Sequence, residues 1–316
     1  MKAFILKRVL ALLPILFIVS IVVFLVIHLT PGDPATVMLG DTATEEQVKA
    51  LREQLGLNNP IHEQYVHWIS GVFQGDFGYS YFMKQPVMDT IISHLGPTVS
   101  LAILAEIMAI LIGIPLGIIA ATRRGSATDQ SLMGVALLGI SVPSFLLGLF
   151  LVLVFAVQLR WLPVGGYEPL SEGLLLHLKY LIMPAIALGS MQIALTARMT
   201  RSSLLEVLNT NFIKAARSKG VKERHVIYRH ALRNAFLPIL TVLGQTFGVL
   251  ITGAAVVETI FNIPGIGQLI INSVGRRDYS VIQGVVLFVT FTYVFINLVI
   301  DLLYGVIDPR VRLDQK

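Results

Sequence analysis

The chain has 316 residues, 55% of them apolar and only 14% charged, with a formal net charge of +5 and no cysteine. A soluble globular protein carries about 25% charged residues, so a water-surrounded enzyme is excluded. Without cysteine there are no disulfides, no thiolate zinc clusters and no thiol catalysis.

A bilayer-crossing helix needs roughly 18 or more consecutive apolar residues. Val9–Ile27 qualifies, with only Pro14 and Ser20 interrupting. Lys2, Lys7 and Arg8 ahead of it resemble the start of a secretory signal. However, the run is too long and no small-x-small cleavage site follows, so it reads as a signal anchor. The runs 101–121, 132–157, 180–197, 235–257 and 281–306 follow with few ionisable residues. The expectation is an all-α integral membrane protein with six transmembrane helices.

The long connection after the first run has its own order. Pro31-Gly32-Asp33-Pro34 is a turn signal. Thr44-Glu45-Glu46-Gln47 reads as a capping box opening a helix with Val48, Leu51 and Leu55 on one face and Gly56 as its stop. Pro60 opens a second helix in which Ile61, Tyr65, Trp68, Ile69 and Phe73 recur at helical spacing. These helices are expected to rest on the membrane surface, with Tyr65, Trp68 and His28 at the interface. Farther along, Pro115 and Pro143 interrupt the second and third runs, Pro143 being expected to bend the third. Gly113, Gly117, Gly134, Gly139 and Gly148 are suited to close helix packing. The expected domains are 1–30 (N-terminal tip and first helix), 31–97 (outer-face helices), 98–306 (a five-helix domain with a polar loop at about 201–238) and a tail at 307–316.

Basic residues orient the chain. With the N-terminus inside, seventeen of the 24 Lys and Arg fall in inner segments, as the positive-inside rule requires for an N-in, C-in topology. The positive charge is thus a topology signal, and no nucleic-acid partner is needed to explain it.

Three groups of residues are candidates for chemistry. There is no phosphate-cradling Gly-x-x-x-x-Gly-Lys-Ser/Thr loop, no His-Glu-x-x-His and no Gly-x-Ser-x-Gly, and the seven His are scattered. No catalytic residue, metal site or cofactor of the chain's own is expected. Glu106, Glu258 and Asp301 lie in or at the ends of apolar runs, where a carboxylate is a functional candidate. Glu258 and Asp301 are expected near the ends, within reach of water or a neighbouring Arg, and Glu106 is assigned a polar contact. A proton-coupled transporter relaying through Glu106 and Asp301 is the alternative, and a membrane scaffold whose basic loop recruits a partner is another.

The third group is the loop, with nine Lys and Arg between Arg198 and Arg233. Asn211 is the expected helix cap, Ala215 and Ala216 favour helix, Arg217 and Lys219 suit the last turn, and Gly220 permits a left-handed stop. Such a helix, of two to three turns, is marginal alone in water and calls for a docking partner.

Here a resemblance enters. Lys214-Ala215-Ala216-x-x-x-Gly220, followed by His230-Ala231-Leu232-Arg233-Asn234-Ala235-Phe236-Leu237-Pro238, resembles the EAA loop of binding-protein-dependent ABC importer permeases. Lys214 stands where the general motif has Glu, and the gap to Leu237-Pro238 is long. Both departures are usual in the dipeptide/oligopeptide/nickel branch. Gly75-Asp76-Phe77-Gly78-x-Ser80, Glu258-Thr259-Ile260-Phe261-x-x-Pro264-Gly265-x-Gly267, Arg277-Asp278-Tyr279-x-x-x-Gln283-Gly284, Asn297-x-x-x-Asp301 and Asp308-Pro309-Arg310 continue the match, which is closest to the B-type permease.

The resemblance implies the ABC type I importer permease fold and several partners. These are a second homologous permease, two ABC ATPase subunits that bind ATP and Mg, and an extracytoplasmic peptide-binding protein, all in a lipid bilayer. It implies that Phe212, Lys214, Ala215, Ala216, Arg217, Lys219, Gly220, Val221 and Arg224 dock on an ATPase. Phe261, Pro264, Gly265, Gly267, Arg277, Asp278 and Tyr279 are the expected binding-protein contacts. Polarity and kinks mark Pro143, Gln245, Thr246 and Thr252 as gate candidates. Because the branch mostly carries peptides, the resemblance implies a permease subunit of an ATP-driven peptide importer, with nickel chelates and other small solutes as the alternative cargo.

Overall fold

The computed structural model describes residues 2–29, 33–40 and 43–307. Pro31-Gly32, Asp308-Pro309-Arg310 and the tail expected at 307–316, apart from Ile307, lie outside the described residues. In chain order the helices are α1 (Lys2–Leu29), α2 (Pro34–Leu39), α3 (Glu45–Gln54), α4 (Ile61–Phe73), α5 (Val87–Met108), α6 (Ile114–Thr122), α7 (Ala127–Ser141), α8 (Ser144–Leu151), α9 (Leu174–Leu208), α10 (Asn211–Ser218), α11 (Glu223–His225), α12 (Leu232–Gly253), α13 (Ala255–Ile260), α14 (Ile266–Gly275) and α15 (Tyr279–Ile307). Wider π-helical turns at Ala109–Gly113, Val152–Gln158 and Val226–Ala231 join or extend them. A two-residue hairpin pairs β1 (Tyr79–Ser80) with β2 (Gln85–Pro86), antiparallel.

By length and composition, three helical segments among the described residues can cross a bilayer: Val87–Thr122, Leu174–Leu208 and Tyr279–Ile300. A fourth is added if α7 and the helix from Ser144 to Gln158 form one span. Among the other expected spans, α1 offers the shorter described apolar helix Leu12–Val26. Helix α12 opens on Arg233 and Asn234 and carries Gln245 and Thr246 in its interior. The expected bend at Pro143 is a full break, with a 100° angle between the two helices. Val142 ends α7 in extended backbone and Pro143 caps α8. Proline has no N–H for the preceding turn and biases the residue before it away from helix.

The chain divides into two compact units, 1–98 with 264–295 and 99–263 with 296–316. In the first, Thr44 accepts from Gln47 N and Gln47 Oε1 accepts from Thr44 N, so the expected capping box is present. Gly56 follows at φ +65°. Helix α4 begins after Pro60. Tyr65 and Trp68, both half-buried, pack against α1: their ring centroids lie 5.4 and 5.7 Å from that of Phe24. Tyr65 Oη hydrogen-bonds with Ser20 Oγ at 2.8 Å, and His28 Nε2 with Gln64 Oε1 at 3.1 Å. The polar atoms of an amphipathic aromatic need partners when buried, and α1 supplies them. The core of this unit is Val87, Ile91, Ile266, Leu269, Val281 and Val285.

The second unit is organised on α9, 35 residues long. Two of its helix contacts leave no room for a side chain, and two more are tight. A Cβ on Gly113 would come within 2.8 Å of Ile193 O, and on Gly117 within 2.6 Å of Ala197 O. One on Gly189 would come within 3.2 Å of Ala105 O, and one on Gly139 within 3.3 Å of Ser190 O. A Cβ on Gly148 would come within 3.1 Å of the Phe261 ring, whereas beside Gly134 this chain leaves open space. Such backbone approach maximises dispersion where lipid removes the hydrophobic drive between helices. Asp129, at the start of α7, accepts two hydrogen bonds from Arg201 of α9, at 2.6 and 2.7 Å.

Candidate functional site

Helix α10 follows α9 after only Asn209 and Thr210. Thr210, in extended backbone, occupies the cap position expected for Asn211, and no side-chain cap bond forms. The Thr210 hydroxyl instead donates to Val207 O at 2.6 Å. The helix ends as expected: Gly220 adopts φ +76° and its N–H reaches Arg217 O at 2.9 Å. Only glycine enters that region without strain.

One residue seats the helix. Ile213 is fully buried, in a cluster with Ile118 and Ala121 of α6, Leu204 of α9, Val226, Ala231 and Ala235. Val221 packs against the same cluster from the turn beyond. On the other side, Phe212, Lys214, Ala215, Arg217, Lys219, Gly220 and Arg224 are exposed, and Ala216 and Val221 are half-buried. Arg217 and Glu223 form a two-pronged ion pair, with nitrogen–oxygen distances of 3.1 and 2.6 Å. Hydrogen bonding to Arg217 holds the Glu223 carboxyl below its ordinary pKa. The resulting face is an exposed Phe ringed by cations, anchored to three long helices. Within the polar segment expected at about 201–238, α9 remains helical to Leu208 and Arg201 is engaged by Asp129.

The gate candidates separate. Pro143 is exposed at the break between α7 and α8, Gln245 is exposed, and Thr246 is buried. Thr246 Oγ1 donates to Leu243 O at 3.0 Å and lies 3.5 Å from Glu106 Oε2. The side chain of Thr252 lies outside the described residues, as does that of Asp301. Glu106 thus has the expected polar contact, while its buried Oε1 finds no hydrogen-bond partner among the described residues. Glu258 departs from expectation: it is fully buried, not at a watered end.

The segment expected to meet a binding protein faces largely inward. Phe261, Gly265, Gly267, Asp278 and Tyr279 are buried, and only Pro264 and Arg277 are exposed. Phe261 belongs to the hydrophobic core of the second unit, and its carbonyl accepts from Gly166 N at 2.7 Å. Asp278 accepts from Ser80 Oγ at 2.5 Å and from Val281 N at 3.4 Å, opening α15. These motif residues hold loops in shape. Sequence reading missed the exposed Arg276, whose guanidinium sits 3.9 Å from the centre of the Phe82 ring; its pairing with Arg277 was the available signal.

Residues 113–313 match the family described as binding-protein-dependent transport system inner membrane component. Residues 1–102 match the N-terminal model described as binding-protein-dependent transport system membrane component. The chain belongs to this family. A putative peptide transport system permease protein of Brucella abortus (strain 2308) is 46% identical over 314 residues, covering 99% of this chain and 100% of that protein. The glutathione transport system permease protein GsiC of Escherichia coli (strain K12) is 43% identical over 312 residues, 99% of each. Among solved structures, the inward-facing MetNI methionine ABC transporter aligns at TM-score 0.58 and 17% identity, over 70% of this chain and 97% of that one. That likeness concerns the fold, which is the helical ABC importer permease fold. The protein is therefore a multi-pass inner-membrane permease component of a binding-protein-dependent system, and such a system includes an ATPase and a binding protein.

Proposed function

We propose that this permease carries peptides, as a subunit of an ATP-driven importer. The observation that carries the reading is end-to-end identity above two-fifths with permeases named for peptide and glutathione transport. In this reading the chain crosses the membrane six times with both termini inside. It divides at about residues 30, 97 and 306, and forms the path together with a second homologous permease. Two ATPase subunits bind ATP and Mg and hydrolyse the ATP; this chain catalyses nothing.

Helix α10 enters a groove of one ATPase, with Phe212 as the apolar anchor and Lys214, Lys219 and Arg224 around it. Central aromatics within a charged rim are the usual make-up of an interface hot spot. Closure of the ATPases drives the paired docking helices together and turns the path outward. Pro143, Gln245, Thr246 and Thr252 belong to that path. On the outer side, Pro264 and Arg277 meet the peptide-binding protein, while their buried neighbours set the loop.

The test is reconstitution of the four-subunit complex with its binding protein, measuring ATP-driven uptake of a labelled tripeptide and ATP hydrolysis together. Gly220→Pro forbids φ +76° and removes the N–H to Arg217 O. It should lower uptake by at least about tenfold while the complex still assembles and hydrolyses ATP. Charge reversal at Arg217 and Lys219 should do the same. Normal coupled uptake by these variants would refute the coupling role, and an inert wild-type complex would refute the peptide cargo.

A further inference from the structure

Helices α7, α9 and α12 line a concavity of about 540 Å³, within the range typical of small-ligand sites. Its polar groups are Arg198, Arg201, Ser202, Gln245 and Thr246, and its walls include Met133 and Met199. The two arginines, one helical turn apart, are in different states. Arg201 is committed to Asp129, and that carboxylate also accepts from Gly125 N at 2.9 Å. Arg198 is exposed, and among the described residues no carboxylate lies within ion-pair distance of it. The concavity therefore holds one uncommitted guanidinium beside a hydroxyl and an amide.

A guanidinium presents a planar fork of donors that matches a carboxylate with two charge-assisted hydrogen bonds. Methionine walls are unbranched and polarizable, and they adapt to side chains of differing shape. A fixed anion receptor beside adaptable walls suits a ligand with one constant acidic group and a variable apolar part. A peptide is such a ligand, its C-terminal carboxylate being constant and its last side chain variable. We propose that this concavity is a transient subsite for the C-terminal carboxylate of the cargo, with Arg198 as the group that receives it. The proposal rests on the peptide-cargo reading above.

The experiment uses the complete transporter in nanodiscs without nucleotide or binding protein. A tripeptide bearing a diazirine on its last side chain is photocrosslinked to the permease, and unlabelled tripeptide free acid or its C-terminal amide competes. On the wild type, the free acid should compete about tenfold better than the amide, a ratio worth about 1.4 kcal/mol. In Arg198→Gln the two should compete equally, and Arg198→Lys should restore part of the preference as a single cationic donor. Equal competition on the wild type, an acid preference unchanged in Arg198→Gln, or no crosslinking to this chain would each overturn the proposal. A loss of labelling that is the same for acid and amide would also overturn it, marking Arg198 as a contact to another subunit. Uptake of the same tripeptide by wild-type proteoliposomes separates the two levels: uptake without an acid preference removes the subsite and leaves the peptide reading standing.

Discussion

Helix α10 shows solvent an aromatic and several cations while one side chain, Ile213, holds it down. The segment from Phe261 to Tyr279 does the reverse, turning five of its seven distinctive residues inward and leaving Pro264 and Arg277 outside. Both stretches carry dense motifs, yet the physical demands on them differ. In α10 the motif is divided between a stop that shapes the helix and a face offered to a partner. In the second segment, two buried glycines, a capping Asp and a core Phe serve the segment's own conformation. A motif at a membrane protein's surface is therefore not in itself a docking site; exposure decides.

The contrast can be broken by mutation, and the largest effect is expected in the core. Phe261→Ala should cost about 3–5 kcal/mol by emptying a packed position, seen as a lower melting temperature of the purified permease complex. Arg277→Ala should leave that temperature nearly unchanged, since exposed substitutions stay within about 0.5 kcal/mol. It should instead lower binding-protein-stimulated ATP hydrolysis severalfold. If both variants prove equally destabilising, the division into inner and outer residues fails. Ile213→Ala comes next, at about 2–5 kcal/mol, with α10 losing hydrogen-exchange protection. Phe212→Ala should leave exchange protection intact but weaken copurification of the ATPase.

The smallest effect belongs to Glu223. Its folded pKa is depressed by Arg217, so its contribution is present above the unfolded carboxylate value. That contribution disappears as pH falls through the folded one. Both partners are about half exposed, which limits the pair to about 1 kcal/mol or less. Exchange protection at 217–223 should fall slightly on acidification in the wild type and show no such pH dependence in Glu223→Gln.

Features governed by local chemistry were legible in the sequence. The Thr44 capping box, the break at Pro143 and the left-handed Gly220 all follow from backbone restrictions that a few residues impose alone. The helical character of α10 was legible for the same reason, and the glycines at 113, 117 and 139 were legible as packing residues from their lack of a side chain, though not the α9 residues they meet. What could not be read depended on distant partners. Tyr65 and Trp68 have the amphipathic signature of interfacial aromatics, but their contacts with Phe24 and Ser20 could not be read, because Ser20 lies 45 residues from Tyr65. Asn211 is a better cap than Thr210 by residue type, but the end of α9 sets the register. Burial at Phe261 and Asp278 depends on Gly166 and Ser80, one of them nearly two hundred residues away. Apolar runs mark where lipid is, whereas backbone hydrogen bonding carries α9 beyond the run 180–197 to Leu208.

That continuity makes α9 a mechanical part. At 1.5 Å per residue its 35 residues, Pro184 among them, extend over about 52 Å, and two residues link it to the helix proposed above to meet the ATPase. Thr210 O accepts the N–H of Lys214 at 3.2 Å, so the link is a stiff elbow. In the proposed cycle, pressure on α10 would therefore act on the end of α9 with little slack chain between. Gly113 and Gly117 sit against that helix with no side chain between, so its neighbour would tilt with it.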